Sequence, residues 1–260
     1  MEAINLLKEF SEEAIKKDNI DAIVLSGSQT SLINDEMSDY DIYIYSKEKV
    51  NIETRKRFAE KYASYYQLGG DYFEYGDELI IDDICFDFMY RDLSFAENEI
   101  NYVWRECNSK IGYTTAFLYN IKNSKIIYDR DSKFQNLQNE LNNEFPDKLK
   151  ENIMKKNLAV MKYKKCASFF EQIEKAIKRK DIVSVNHRVS AILSSYFDVL
   201  FALNKELHPG EKKLIKYAYK LCKSLPENFE NDITNIINCG LNENILENIN
   251  NLIENLKKII

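Results

Sequence analysis

The hydrophobic pattern of this 260-residue chain changes at Pro146, and this change limits the possible folds more than any other feature. Before Pro146, short apolar runs and alternating stretches are mixed with helical spacing, whereas helical spacing is almost continuous after it. The charge changes at the same point: 16 basic and 28 acidic residues precede Pro146, and 20 basic and 14 acidic residues follow it, giving net charges of −12 and +6. We therefore predict an α/β domain with a small mixed sheet over residues 1–145 and an all-α helical bundle over 146–260.

The spacing of apolar residues predicts individual helices and strands in the first part of the chain. The predicted helices are residues 2–17, 52–66 and 94–108. The predicted strands are residues 22–25, 39–45, 78–81 and 84–90. Asp82 and Asp83 form the turn between the last two strands. About five helices are expected after Pro146, with Asp181 as an N-cap, Pro209-Gly210 and Pro226 as helix starts, and Gly240 as a C-terminal stop.

Composition excludes several classes of protein. The five Cys are scattered and never form a C-x-x-C pair, so we predict neither a disulfide framework nor a zinc knuckle, and a reducing cytoplasm is the expected location. The N-terminus has acidic residues where a signal peptide needs basic ones, and Asp198 interrupts the most apolar stretch, so no membrane span is predicted. Since His187 and His208 are the only histidines, a bound metal would rely on carboxylates, which favours Mg²⁺ or Mn²⁺.

The strongest local signal is the segment LSGSQTSLINDEMSDYDIYIY. A strand leads into Gly27 and Ser28, and a second strand opens with Asp39 and Asp41. Side chains two apart on a strand share a face, so these carboxylates repel each other unless a cation lies between them; Mg²⁺ is often held by one or two carboxylates together with substrate phosphates. A Gly in the turn after a strand lets backbone N–H groups approach a phosphate. The alternative is a Gly turn followed by a strand edge with surface acids.

Asp87 is the third candidate carboxylate. Alternation along its strand places Phe86 and Phe88 on one face and Asp87 on the other, between apolar neighbours, where an unpaired charge is costly. If this strand lies beside the Asp39 strand, Asp87 completes a cluster of three carboxylates that can hold two metal ions for in-line attack at phosphorus. Asp82 and Asp83 are better explained as turn residues.

These residues resemble the nucleotidyltransferases of the DNA polymerase beta superfamily: Gly27-Ser28, then Asp39 and Asp41 after a gap of ten residues, and Asp87 on a later strand. The predicted domain order resembles the aminoglycoside and lincosamide nucleotidyltransferases and an uncharacterised bacterial branch of them. The segments MYRDL, GYTTAFLYN, SVNHRV and HPGEKK are similar to segments of that branch. The resemblance implies that Gly27 and Ser28 hold a triphosphate, that Asp39 and Asp41 bind metal, and that Asp87 binds metal or deprotonates the acceptor hydroxyl.

The segment from Ser28 to Ser46 departs from the family pattern because it contains no basic side chain. Related enzymes often carry a basic residue just after the Gly-Ser, but no Lys or Arg occurs between Ser28 and Ser46. A triphosphate keeps uncompensated charge beside one or two metal ions, so we expect cationic side chains from the positively charged second half. We favour Lys212, for which a solvated helix face is the alternative. Candidates for an acceptor pocket are Trp104, Tyr113, Thr114 and Thr115.

The sequence therefore favours an enzyme that moves a nucleoside monophosphate from Mg²⁺-bound ATP, or another NTP, to a hydroxyl of a small molecule, for which aminoglycosides and lincosamides are the models. The net charge of −6 and the lack of a basic tract argue against a nucleic-acid acceptor. Two alternatives stay open: the acceptor is a protein hydroxyl, or the chain is a non-catalytic nucleotide-binding interaction module.

Overall fold

The computed structural model describes residues 3–30, 32–33, 39–72, 74–163, 167–240 and 244–260, except for the side chain of Ser28. Within these residues the chain is an α/β protein with a six-stranded mixed sheet and a helical C-terminal part, as the sequence predicts. Two compact units are present: Met1–Asn101 with Asn120–Asn143, and Tyr102–Tyr119 with Glu144–Ile260. The predicted division at residue 146 assigns 102–119 to the first domain, whereas the contacts of this segment place it in the second unit.

The first unit contains the sheet, in the order β3-β4-β5-β2-β1-β6. Its strands are β1 Ile20–Ser26, β2 Tyr40–Ser46, β3 Tyr65–Gly70, β4 Gly76–Ile81, β5 Ile84–Arg91 and β6 Lys125–Asp129. Its complete helices are α1 Ala3–Lys17, α2 Ile52–Tyr62, α3 Leu93–Glu99 and α5 Lys133–Leu141; α4, Ala116–Asn123, ends in this unit. The central pair β2 and β5 is parallel, and the other neighbouring strands are antiparallel.

Helices α1 and α2 pack on one face of the sheet and form the core of the first unit. The α1 residues Leu7 and Phe10 are buried with Phe58 of α2 against Ile42 and Phe88 of the sheet. These positions recur at helical spacing in α1 and at every second residue in the strands, so the predicted periodicities are confirmed. With one face filled by apolar side chains, polar residues at the intervening positions lie on the opposite face.

Two strands were not predicted. The helix predicted over residues 52–66 is wrong at its end, because α2 stops at Tyr62 and the chain continues as β3. There Ser64 N–H donates to Ile80 O (2.9 Å) and β3 pairs with β4, so pairing with the next strand along the chain replaces a local preference for helix. Strand β6 was missed for the same reason, since it is stabilised by pairing with β1, about a hundred residues earlier.

The second unit is helical. Beyond Pro146 it contains six described helices: α6 Asp147–Met161, α7 Phe169–Lys178, α8 Ile182–Leu203, α9 Leu214–Leu221, α10 Phe229–Cys239 and α11 Ile245–Lys257. Asp181 caps α8 by accepting from Ser184 N–H (3.0 Å), and Gly240, with φ of 59°, ends α10, as predicted. The helix start predicted at Pro209 is wrong, because α9 begins only at Leu214. None of the described helices combines the length and apolar character needed to cross a membrane.

Candidate functional site

A row of polar residues crosses the face of the sheet opposite the apolar core. In the cross-strand register, Gln67 is paired with Glu78, Glu78 with Asp87, Asp87 with Asp41, and Asp41 with Ser26. Residues directly opposite each other on neighbouring strands share a face and lie within reach of each other. The row therefore brings two of the predicted carboxylates, Asp41 and Asp87, onto adjacent positions of the two central strands.

Asp39, the third predicted carboxylate, lies exposed just before β2 and two residues from Asp41. It is near enough to Asp87 for its negative charge to raise the pKa of the Asp87 carboxyl. The structure thus brings the three acids to one region of the sheet. Within the described part of the chain, however, no group of three or more His, Cys, Asp and Glu side chains is arranged to hold a metal ion. The metal-binding role of the three acids stays a prediction.

The environment of Asp87 disfavours its ionised form. Burial raises the pKa of the Asp87 carboxyl, a hydrogen bond from Cys85 lowers it, and the charges of Glu78 and Asp39 raise it further. Cys85 Sγ lies 3.3 Å from Asp87 Oδ1. Burial raises the pKa of the Cys85 thiol to about 12, so this thiol stays protonated and donates to the carboxylate. A half-buried carboxylate with acidic neighbours is suited to binding a cation or accepting a proton.

The Gly27 turn lies directly against Asp41. Gly27 opens a short 3-10 turn, Gly27–Thr30, with φ of 64°, a conformation that glycine adopts without strain. A Cβ at this position would overlap Asp41 Oδ2, so only glycine lets the turn approach the carboxylate so closely. The Gly27 N–H donates to Asn120 Oδ1 (3.3 Å), and Thr30 Oγ1 donates to Gly27 O (3.2 Å). Asn120 thus holds the Gly27 N–H, and the contact of this turn with a phosphate stays a prediction; the Ser28 side chain lies outside the described part.

Arg91 is a cation on the polar face that the sequence analysis missed. It lies four residues after Asp87 on β5, so it shares that face, and it forms an ion pair with Glu74. Its guanidinium lies 4.3 Å from the centroid of the Tyr43 ring. Burial raises the pKa of Tyr43, the charge of Arg91 lowers it, and the charge of Asp41 raises it. The period-2 pattern of the segment ICFDFMYR already places Arg91 on the same strand face as Asp87.

A cavity of about 120 Å³ opens beside Asp87. Its lining comes from β3, β4, β5 and the segment between β3 and β4, and it includes four acidic residues beside apolar surface. Asp77, one of the acids, is held by Arg55, whose Nε donates to Asp77 Oδ2 (2.8 Å). Glu74, another, is paired with Arg91. The lining residues are Gln67, Gly70, Tyr72, Glu74, Gly76, Asp77, Glu78, Asp87, Phe88 and Met89.

The remaining predicted residues belong to the second unit. Lys212 is exposed in a bend just before α9, and its role in nucleotide binding stays a prediction. Thr114 and Thr115 are buried and their hydroxyls serve hydrogen bonds of the unit itself: Thr114 Oγ1 donates to Asp198 Oδ2 (2.6 Å), and Thr115 Oγ1 accepts from the His208 backbone N–H (2.8 Å). Trp104 is buried against Phe145, and Tyr113 is 38% exposed.

A buried carboxylate organises this part of the second unit. Asp198 is 1% exposed and accepts hydrogen bonds from the Thr114 N–H (2.9 Å), the Thr114 hydroxyl and Asn157 Nδ2 (3.0 Å). Asn157 in turn accepts from the Gly112 N–H (2.9 Å). Burial raises the pKa of Asp198 to about 6, although its hydrogen bonds lower it. Burial also lowers the pKa of His208 to about 3, so this imidazole is neutral.

Comparison with known proteins gives three results. Residues 112–214 match the family described as "Domain of unknown function (DUF4037)", a segment that begins with the Asn157-bound Gly112 and extends beyond His208. The chain is similar to the crystal structure of a nucleotidyltransferase-like protein from Exiguobacterium sibiricum 255-15, with 9% identity, coverage of 97% of this chain and 74% of that chain, and a TM-score of 0.47. No curated protein matches the chain.

Proposed function

We propose that this chain is a metal-dependent nucleotidyltransferase that moves a nucleoside monophosphate, most simply AMP, from an NTP to a hydroxyl of an acceptor molecule. One observation carries the proposal: Asp41 and Asp87 are cross-strand partners on the two central strands, and the Gly27 turn packs directly against the Asp41 carboxylate. This juxtaposition combines a phosphate-approachable turn with carboxylates that can receive a cation or a proton. The resemblance of Gly27-Ser28, Asp39, Asp41 and Asp87 to the nucleotidyltransferase motif supports the same function.

The side-chain chemistry of the three predicted acids suits a hard divalent cation. Asp39, Asp41 and Asp87 supply carboxylate oxygens, which Mg²⁺ and Mn²⁺ prefer. Their mutual repulsion, visible in the effect of Asp39 on the pKa of Asp87, would be offset by such an ion. When bound, Mg²⁺ would stabilise negative charge that develops on the phosphates. We assign Asp39 and Asp41 to holding the metal, and Asp87 to metal binding or proton acceptance.

In the proposed reaction the acceptor hydroxyl oxygen attacks the α-phosphorus of the NTP. The bond from the α-phosphorus to the oxygen that bridges to the β-phosphate breaks, and pyrophosphate leaves with that oxygen. Asp87 orients the hydroxyl and accepts its proton, for which its raised pKa makes it a better base than an exposed Asp. Gly27 and Ser28 hold the triphosphate, and Lys212 is the proposed cation from the second unit.

The cavity beside Asp87 is the proposed acceptor site. It places an acceptor next to the proton-accepting carboxylate, and its lining includes no Lys or Arg among the described residues. Glu78 and Asp87 add negative charge at its base, which favours an acceptor that carries amino groups as well as hydroxyls. Aminoglycosides have both groups and are the first acceptors to test, followed by lincosamides.

Calorimetric titration of ATP with Mg²⁺ into the protein tests the nucleotide site without knowledge of the acceptor. We expect wild type to bind in a metal-dependent manner and the Asp39→Asn, Asp41→Asn double variant to lose this binding. The matched control is Asp82→Asn, Asp83→Asn, which removes two charges from the exposed turn between β4 and β5 and should bind as wild type does. Asp87→Asn should bind ATP but lose transfer.

Transfer itself is measured with ATP labelled at the α-phosphate and a panel of hydroxylated acceptors. A labelled small-molecule product and release of pyrophosphate support the proposal. A labelled protein band instead would identify the acceptor as a protein hydroxyl. If folded wild-type protein binds no NTP in the presence of Mg²⁺ or Mn²⁺, the nucleotidyltransferase assignment fails, and the chain is better explained as an interaction module.

A further inference from the structure

We propose that Asn120 is the positioning residue of the nucleotide-binding turn, a role that rests on the proposed function. Asn120 is half-buried near the end of α4, and its Oδ1 accepts the Gly27 N–H at 3.3 Å. These residues are 93 positions apart in the chain, so the bond fixes the turn from outside its own segment. No motif that contains Gly27 includes Asn120.

The bond adds a second contact to a turn that already lies against Asp41. The Gly27 α-carbon approaches Asp41 so closely that a Cβ would overlap the carboxylate, and the Gly27 N–H is held by Asn120. A glycine with φ of 64° has few steric restraints of its own. The two contacts together therefore fix the orientation of its peptide and keep the turn against the proposed metal-binding carboxylate.

Asn120 also contacts a second residue of the polar face. Its side chain is hydrogen-bonded to Tyr43, which lies two residues after Asp41 on the same face of β2. A carboxamide has both acceptor and donor groups, so a single side chain can serve a backbone N–H and a tyrosine hydroxyl together. An aspartate at this position would keep an acceptor for Gly27 but would add negative charge beside Asp41.

The end of α4 that carries Asn120 is itself anchored. Ser124 Oγ donates to Asn120 O (2.6 Å) and lies 2.6 Å from Ser26 Oγ, the last residue of β1. Gln138 of α5 donates to Ile121 O (2.9 Å) and to Ser124 O (2.8 Å). Positioning residues are effective when neighbouring hydrogen bonds restrict them, and these bonds hold the last residues of α4 against the strand that leads into the turn.

The test measures hydrogen exchange of the Gly27 amide and binding of MgATP in wild type and Asn120→Ala. We expect the variant to lose protection of the Gly27 amide and to bind MgATP roughly five- to tenfold more weakly, as the loss of one hydrogen bond predicts. Where turnover is measurable, KM for ATP should rise while kcat changes little, because Asn120 orients the turn and contacts neither acceptor nor Asp87. Asn120→Asp should restore Gly27 protection, which a general loss of stability would not allow.

Asn152→Ala is the matched control. Asn152 Nδ2 donates to Cys107 O (2.8 Å) in the second unit, so the control removes the same amide group and one bond to the backbone. It should leave Gly27 protection and ATP affinity unchanged. Unchanged ATP affinity in Asn120→Ala, or an equal loss in Asn152→Ala, overturns the proposal. If wild type itself binds no MgATP, the proposed function fails and the nucleotide role of Asn120 fails with it, whereas Gly27 exchange still shows whether Asn120 holds the turn.

Discussion

The buried carboxylate of Asp198 makes the stability of the second unit depend on pH. Its pKa is raised from 3.8 to about 6 by burial, so the folded state binds more protons than the unfolded state between these values. Stability from this group is fully present below pH 3.8 and is lost as pH rises through 6. A difference of roughly two pKa units corresponds to about 3 kcal/mol in total, of which about 1.4 kcal/mol is lost between pH 5 and pH 7.5.

Asp198→Asn removes the titration and keeps the size of the side chain. The variant also places an amide nitrogen among the donors Thr114 and Asn157, so we expect it to be less stable than wild type at pH 5. Its deficit in the free energy of unfolding should shrink by about 1.4 kcal/mol from pH 5 to pH 7.5, because only wild type then carries a buried charge. Trp104, the single tryptophan, belongs to the same unit, and its fluorescence during urea unfolding reports the change.

Asp181→Asn provides the control for this experiment. Hydrogen bonds from Ser184 lower the pKa of Asp181, so the carboxylate is ionised in both folded and unfolded states between pH 5 and pH 7.5. Any difference between this variant and wild type should therefore be the same across that range. A deficit of Asp198→Asn that does not change with pH, or that grows as pH rises, would refute the reasoning about Asp198.

Two further predictions concern the first unit and its turn. Gly27 and Gly69 have φ values of 64° and 70°, which cost an Ala about 1 kcal/mol each. Only at Gly27 would the new Cβ overlap a neighbour, Asp41, so Gly27→Ala should lower the free energy of unfolding by about 1–2 kcal/mol more than Gly69→Ala. Equal losses in thermal unfolding would contradict this. Arg55→Met leaves Asp77 buried without its cation and should cost about 3–5 kcal/mol in urea unfolding; a loss below about 1 kcal/mol would show that Asp77 is neutralised in another way.

The relation between sequence and site differs from residue to residue. The alternation around Asp41 and around Asp87 is a local property, and it correctly predicted which face of each of these two strands carries a carboxylate; Asp39 lies just before β2, and its shared face with Asp41 stays a prediction. The condition that the Asp87 strand lie beside the Asp39 strand could not be read from the pattern, because strand pairing depends on contacts between distant segments. The parallel register of β2 and β5 meets that condition.

Asn120 and Asp198 were beyond the reach of local patterns. Asn120 is the last residue of the segment GYTTAFLYN, but that segment gives no sign of its bond to Gly27, which exists only because β1 and the end of α4 come together in the first unit. In the sequence, Asp198 only interrupts an apolar stretch. Its role depends on its hydrogen-bond partners Thr114 and Asn157, which come from separate segments of the second unit. Each of these roles depends on a bond between residues more than forty positions apart.

The sequence by itself determined the classes of element, the polar and apolar faces of the strands, and the carboxylates of the candidate site, because side-chain periodicity follows directly from backbone geometry. Four features were decided only by the tertiary structure: the strand order, the presence of strands β3 and β6, the membership of residues 102–119 in the second unit, and the residues that hold the Gly27 turn. These features depend on hydrogen bonds and packing between separate segments of the chain, for which local periodicity carries no signal.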